Sequence, residues 1–201
     1  MLNALEARSA TCGGRALRAK LREQKDILPA IRVVRASLLN ATENVLAHQC
    51  NCLTVRSHGL SRAIIDKWSW ADAYAGRKKQ GTRNLAIESD RPTPGTWCSK
   101  FNLSASGPRR VVALFGQWAP GKPQTFPTYP GAELETLDAR LCWFYEALTD
   151  LLEEMDPKDG LALPYGIGCG LAGGDWDDYS LAIAHAHQTV PYASEIVLYR
   201  L

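Results

Sequence analysis

The clearest pattern in the chain is a stripe of apolar residues at helical spacing. Leu134, Leu137, Leu141, Phe144, Tyr145, Leu148, Leu151 and Leu152 recur every three or four positions, and the run stops at Met155-Asp156-Pro157. That spacing predicts an amphipathic helix with one face in a core. Upstream, short β-rich runs alternate with polar turns. Residues 31–35 and 45–48 read as strands separated by the turn composition of 40–44, and residues 96–98 and 111–115 read as two more. Residues 60–68 predict a helix with Leu60, Ile64, Ile65 and Trp68 on one face, and 71–79 a second short one. Beyond the long helix come a strand at 160–164, a glycine loop at 165–174, a helix at 175–187 and a last strand at 194–199. Strands alternating with helices predict an α/β protein, a three-layer α/β/α sandwich around a mixed central sheet. Residues 116–132 carry Pro120, Pro123, Pro127 and Pro130 with Gly116, Gly121 and Gly131, so no regular element survives there. A loop of that length in a compact domain is usually functional.

A length of 201 residues fits one compact domain, and 46% hydrophobic with 22% charged residues fits an ordinary globular protein. The formal charge of +2 supplies no broad electrostatic footprint for nucleic acid or an anionic membrane, so an anionic ligand must be captured locally. There is no apolar run of ~18–20 residues and no signal-peptide pattern, so a soluble monomer of the cytoplasm or nucleus is expected. Residues 1–28 stand apart, with Arg8, Arg15, Arg18, Lys20, Arg22 and Lys25 against only Glu6, Glu23 and Asp26. They read as a basic N-terminal extension ahead of a domain spanning 29–201. Gly13-Gly14 breaks the extension, residues 16–24 have the pattern of a short amphipathic helix, and the expected state is a solvated arm. Its composition also has some likeness to an organelle transit segment. Without it the remaining domain is slightly acidic.

Cys12, Cys50, Cys52, Cys98, Cys142 and Cys169 include no C-x-x-C pair, and His48, His58, His185 and His187 form no H-x-x-x-H pattern. No metal and no cofactor are expected, and the cysteines read as reduced and mostly buried. Cys50 and Cys169 border the two loops that carry the chemistry, which makes them the candidates for a reactive thiol.

The most informative stretch is Pro164-Tyr165-Gly166-Ile167-Gly168-Cys169-Gly170-Leu171-Ala172-Gly173-Gly174-Asp175-Trp176, five glycines between a strand and a helix. So many glycines cost folding entropy. In exchange the backbone can turn several N–H groups on one anion, at a helix N-terminus whose partial positive charge adds to the capture. The run is neither a Walker loop nor a dinucleotide fingerprint, which excludes the P-loop ATPase and Rossmann readings. A second strand-to-helix loop runs from His48 to Ile64 and again carries a glycine at the helix start. Two such loops converging at the carboxyl ends of neighbouring strands suggest a diphosphate site.

The runs Ala47-His48-Gln49-Cys50-Asn51, Gly59-Leu60-Ser61-Arg62-Ala63-Ile64, Leu114-Phe115-Gly116-Gln117 and Ile167-Gly168-Cys169-Gly170-Leu171-Ala172-Gly173-Gly174-Asp175-Trp176 together resemble the macro domain family, in order and spacing, over roughly residues 31–201. The likeness is nearest to the branch containing the fungal ADP-ribose 1''-phosphate phosphatase. It implies an ADP-ribose site built from Ser37, Leu38, Gln49, Cys50, Asn51, Gly59, Leu60, Gln117, Gly166, Ile167, Gly168, Cys169, Gly170, Leu171 and Ala172. In that picture the diphosphate lies between the loop around His58-Gly59-Leu60 and the loop from Gly168 to Gly173, and Asn51 faces the distal ribose. Ser37 stands where many relatives have an aspartate for the adenine amine. Where relatives use a lysine nucleophile and a partner aspartate, this chain has Gly116 or Gln117 and Ala172.

Three residues remain as catalytic candidates. His58 is either a general acid or nucleophile toward a phosphomonoester or a phosphate-positioning group. Asp175 either activates water or caps the helix that follows it. Asn51 either orients the ribose or closes a turn. Trp118 and Tyr165 pack either on the ligand or in the core. The implied function is hydrolysis of ADP-ribose 1''-phosphate; the alternatives are release of ADP-ribose from modified protein or nucleic acid without a lysine nucleophile, and ADP-ribose reading without turnover. The expected partners are ADP-ribose or ADP-ribose 1''-phosphate, and ADP-ribosylated protein.

Overall fold

The structure, a computed structural model, describes residues 13–104, 107–123, 129–131 and 135–201. Its elements are α1 (Gly14–Glu23), β1 (Arg32–Val34), β2 (Val45–Asn51), α2 (Leu60–Lys67), β3 (Trp97–Phe101), β4 (Arg110–Gln117), α3 (Leu137–Glu154), β5 (Leu161–Pro164), α4 (Trp176–Thr189) and β6 (Ile196–Tyr199). The strands form one six-stranded sheet in the order β1-β6-β5-β2-β4-β3. All neighbours are parallel except β3, which runs antiparallel on the edge beside β4.

β2 and β4 are buried almost throughout, as expected of central parallel strands covered on both faces. Their side chains alternate between the layers. Val45, Ala47, Val112 and Leu114 pack with Leu141, Phe144 and Leu148 of α3 and with Tyr179 and Ile183 of α4. Leu46 and Val111 point the other way, against Ile64 of α2 and Leu38. The result is the expected three-layer α/β/α sandwich. At the carboxyl end of β2 the register with β4 shifts between Gln49 and Asn51. Such an irregularity re-aims side chains at a strand end.

α3 carries the apolar stripe and starts where Thr136 accepts a hydrogen bond from the Ala139 N–H at 3.0 Å. Leu134, the first residue of the predicted stripe, lies outside the described residues. Pro157 follows closely after the helix end, where it cannot continue the backbone ladder. Among the described residues no helix is long and apolar enough to cross a membrane.

Two expectations change. Residues 71–79 are not a helix: a 3₁₀ turn at Ser69–Ala71 leads into turns, and Lys79 bridges Ala86. Asp72 accepts from the Tyr74 N–H at 2.8 Å and Gly76 takes φ +86°, both of which oppose a helix. The second change concerns the basic segment. α1 packs on α3 and α4 with Leu21 fully buried in their core. Arg18 bridges Asp138 at 2.5 Å and Asp178 at 2.7 Å, and Arg22 reaches Asp178 at 2.8 Å. Asp178 is itself buried, so these arginines neutralise a charge that would otherwise be stranded. Residues 14–23 are therefore docked rather than a solvated arm. Among the described residues Cys50, Cys52, Cys98 and Cys169 are free thiols.

Candidate functional site

The carboxyl ends of β2 and β5 open into a cleft of about 310 Å³ between the start of α2 and the loop that leads into α4. Gln49, His58, Gly59, Leu60 and Ser61 form one wall, and Pro164 to Gly168 with Gly170, Leu171 and Ala172 form the other. Each wall needs backbone that side chains oppose. Gly59, the residue before α2, has φ +56°, and Gly166 and Gly168 have φ +74° and +75°.

Short turns tie the glycine loop to itself. The Ile167 N–H donates to Pro164 O, Cys169 N–H to Gly166 O, and Gly174 N–H to Gly168 O at 2.9 Å. Among the described residues, the N–H groups of Gly170, Leu171 and Ala172 have no protein acceptor. Opposite them stands the amino end of α2, whose first N–H groups have no partner within the helix. The cleft is thus bordered by residues with unpartnered backbone donors and carries neither carboxylate nor lysine among its lining residues. That environment suits an anion held by dipoles.

A buried polar network sets the geometry from behind. Gln49 Nε2 donates to Gln117 Oε1 at 2.9 Å, and Gln117 Nε2 to Ala119 O at 2.9 Å. Arg140, 1% exposed, donates to Ala119 O at 3.0 Å and to Ala172 O in the glycine loop at 2.8 Å. Its Nε pairs at 2.8 Å with Glu135, which is fully buried and also accepts from the Trp118 N–H at 2.6 Å. One guanidinium therefore joins the loop after β4 to the loop after β5.

Most of the expected ligand contacts converge. Gln49, Gly59, Leu60, Gly166, Ile167, Gly168, Gly170, Leu171 and Ala172 line the cleft, and so does His58, which is exposed there. Others stand elsewhere. Gln117 supports Gln49 from below, and Leu38 is in the core beneath α2. Ser37 caps the 3₁₀ turn Leu38–Asn40 that follows β1, accepting from the Leu39 N–H at 3.2 Å. Asn51 closes a turn: its Oδ1 accepts from the Thr54 N–H at 2.8 Å and Oγ1 at 2.9 Å, while Nδ2 donates to Tyr74 OH at 3.3 Å. Asp175 caps α4, accepting from the Asp177 N–H at 2.8 Å, and lines a recess behind the loop with Arg18 and Gly174. A wider hollow beside it, about 470 Å³, includes Arg18 and Lys122, but Arg18 is already paired with two aspartates. Trp118 is buried and donates to Pro130 O, a core role.

Cys50 is buried and its thiol is pushed up to about 12, chiefly by loss of solvent. Cys169, whose Sγ donates to Ile167 O at 3.2 Å, is also held at about 12 by burial, with Asp175 and Asp178 adding to the effect. Neither thiol is poised as a thiolate. His48 is buried beneath α2 with its pKa lowered to about 4 by burial, so it is neutral and does not face the cleft.

Ser61, Pro164 and the full contribution of Tyr165 to the cleft went unread from the sequence pattern. So did Arg77, whose Nη1 donates to the carbonyls of Asn51, Cys52 and Thr54 at 3.2, 3.3 and 2.8 Å while its guanidinium stacks 4.4 Å from the Tyr74 ring. Arg77 fixes the loop after β2, and no local pattern marks it.

No family model matches the sequence, and no curated protein sequence matches it. Solved structures do. The macrodomain of Mycobacterium tuberculosis DarG superposes with a TM-score of 0.55 at 20% identity over 85% of this chain and 98% of that one. The macrodomain of Thermus aquaticus DarG gives 0.55 at 17% identity over 85% and 97%. Thermosipho africanus DarTG, solved in complex with ADP-ribose, gives 0.54 at 14% identity over 84% of this chain and 41% of that one. The fold of this chain is the macrodomain fold.

Proposed function

We propose that this chain binds ADP-ribose derivatives in the cleft and hydrolyses the phosphomonoester of ADP-ribose 1''-phosphate. The observation that carries the reading is the lining itself: Gly170, Leu171 and Ala172, whose N–H groups have no protein acceptor among the described residues, border the cleft together with the amino end of α2 and the imidazole of His58. The macrodomain fold supports the ligand class, as does the ADP-ribose bound by the Thermosipho africanus relative. In this reading the dipoles hold the diphosphate and so bring the distal ribose and its phosphate to His58. Water attacks phosphorus, the bond from phosphorus to O1'' breaks, and protonated His58 supplies the proton to the departing O1'' while the attacking water loses its own to solvent. Asn51 and Asp175 are both engaged in closing turns and capping, which leaves His58 as the acid–base group. A lysine-dependent route to release of ADP-ribose has no lysine in the lining to start it.

The experiment is incubation of the purified chain with ADP-ribose 1''-phosphate and, separately, with mono-ADP-ribosylated protein, measuring phosphate and ADP-ribose released. Phosphate release that falls at least ~100-fold in His58→Ala, with ADP-ribose affinity retained, is expected. Release of ADP-ribose alone reassigns the chain as an ADP-ribosyl hydrolase. Binding without product in either assay makes it a reader.

A further inference from the structure

Two arginines beside the cleft are unused by the site described above. β1 and β6 are parallel neighbours with Val34 opposite Tyr199, and the Arg200 N–H donates to Val34 O at 2.9 Å. The residues that follow, Arg35 and Arg200, therefore emerge next to each other at the carboxyl edge of the sheet. Together with Ala36 and Leu201 they line a recess of about 460 Å³. The Arg200 guanidinium lies 4.6 Å from the centre of the Tyr165 ring, and Tyr165 is also part of the cleft wall, so the two hollows meet at this ring.

Among the described residues neither arginine has a carboxylate partner. Glu195 sits at the opposite end of β6, where it pairs with Arg32 at 3.3 Å, and Glu43 accepts from Tyr199 OH at 2.8 Å. Both arginines are exposed and line one recess, where a single anion can meet both charges. Guanidinium forks match the oxygens of a phosphate in particular.

We infer that Arg35 and Arg200 form a phosphate-recognition pair, and that the preferred ligand is an ADP-ribose carrying a phosphate on its adenosine ribose. This rests on the reading of the cleft as an ADP-ribose site. The recess at the ends of β1 and β6 is then a selectivity compartment, one ring away from the diphosphate.

The test is calorimetric titration of the full chain at low salt with ADP-ribose and with ADP-ribose 2'-phosphate, accompanied by AMP, adenosine 2',5'-bisphosphate and adenosine 3',5'-bisphosphate. The ribose phosphate is expected to tighten binding by about tenfold or more, the scale of hydrogen bonds to charged groups. Preference for either bisphosphate over AMP supports the pair and locates the phosphate. The double substitution Arg35→Gln and Arg200→Gln is expected to abolish the difference between phosphorylated and unphosphorylated ligands; both side chains are exposed, and an unchanged thermal transition confirms the fold. Equal affinities for ligands with and without the ribose phosphate overturn the inference and leave the cleft reading intact. A preference that survives the double substitution also overturns it. Binding of none of the five ligands overturns the cleft reading itself.

Discussion

Gly168→Ala is a demanding test of how the glycine loop is built, because two penalties coincide there. The residue has φ +75°, and a Cβ added to it would lie 2.2 Å from Tyr179 Cε1 and 2.9 Å from Gln49 Oε1. Tyr179 cannot yield easily: it is 1% exposed and its ring centre packs 4.8 Å from that of Phe144. The left-handed conformation costs an alanine about 1 kcal/mol, and overpacking a tight interior about 1–3 kcal/mol more. The sum is about 2–4 kcal/mol, or roughly 5–15 °C in Tm for a domain of this size. Two neighbours separate the terms. Gly166→Ala keeps the backbone strain, at φ +74°, but meets nothing within 4 Å, so a loss of about 1 kcal/mol is expected. Gly170→Ala meets nothing within 4 Å and has no left-handed φ, so its stability should stay within about 0.5 kcal/mol of the parent. Thermal unfolding by circular dichroism on all three variants gives the ranking. If Gly168→Ala melts within about 2 °C of Gly170→Ala, the tight packing of the loop against Tyr179 is refuted.

Three further outcomes are expected. Arg140→Ala should lose about 3–5 kcal/mol in urea unfolding, because it leaves the buried Glu135 carboxylate without its cation; a loss below about 1 kcal/mol would refute the clamp. His48 titrates near 4 in the folded chain and near its ordinary value when unfolded, so below about pH 6.5 the unfolded state binds the extra proton. Its contribution, up to about 3 kcal/mol, is therefore complete above pH 6.5 and is lost as pH falls toward 4, and that part of the stability-versus-pH slope should be missing in His48→Gln. Finally, with its thiol held at about 12, Cys169 should react with iodoacetamide at pH 7.5 far more slowly than free cysteine, and rapid modification mapped to this residue by mass spectrometry would contradict the burial argument.

Legibility varied with the range of the interactions involved. The apolar stripe of α3 and the buried runs of β2 and β4 are local periodicities, and the structure places them where the pattern predicts. The glycine loop was equally plain, since repeated φ > 0 leaves a compositional mark. Residues 71–79 misled because Ala71, Ala73, Ala75, Lys78 and Lys79 are all good helix formers taken one at a time. The turns there are imposed by Tyr74 and Arg77 bonding to the loop after β2, a contact between segments some 25 residues apart. The basic segment misled similarly: Arg18 and Arg22 look solvated until Asp138 and the buried Asp178 are brought to them from α3 and α4.

Sequence alone determined the layer architecture and the two strand-to-helix loops of the cleft, because hydrophobic period and glycine content are properties of neighbours along the chain. Tertiary structure decided which residues at those loops are free to act. Asn51 and Asp175 spend their oxygens on a turn and a helix cap, Gln117 and Arg140 support the walls from behind, and His58 stands open on the cleft. The side-by-side arginines at the ends of β1 and β6 likewise come from strand register, which joins positions 35 and 200 and leaves no trace in local pattern. A polar side chain's availability depends on every donor and acceptor within about 3.5 Å, and most of those arrive from distant parts of the chain.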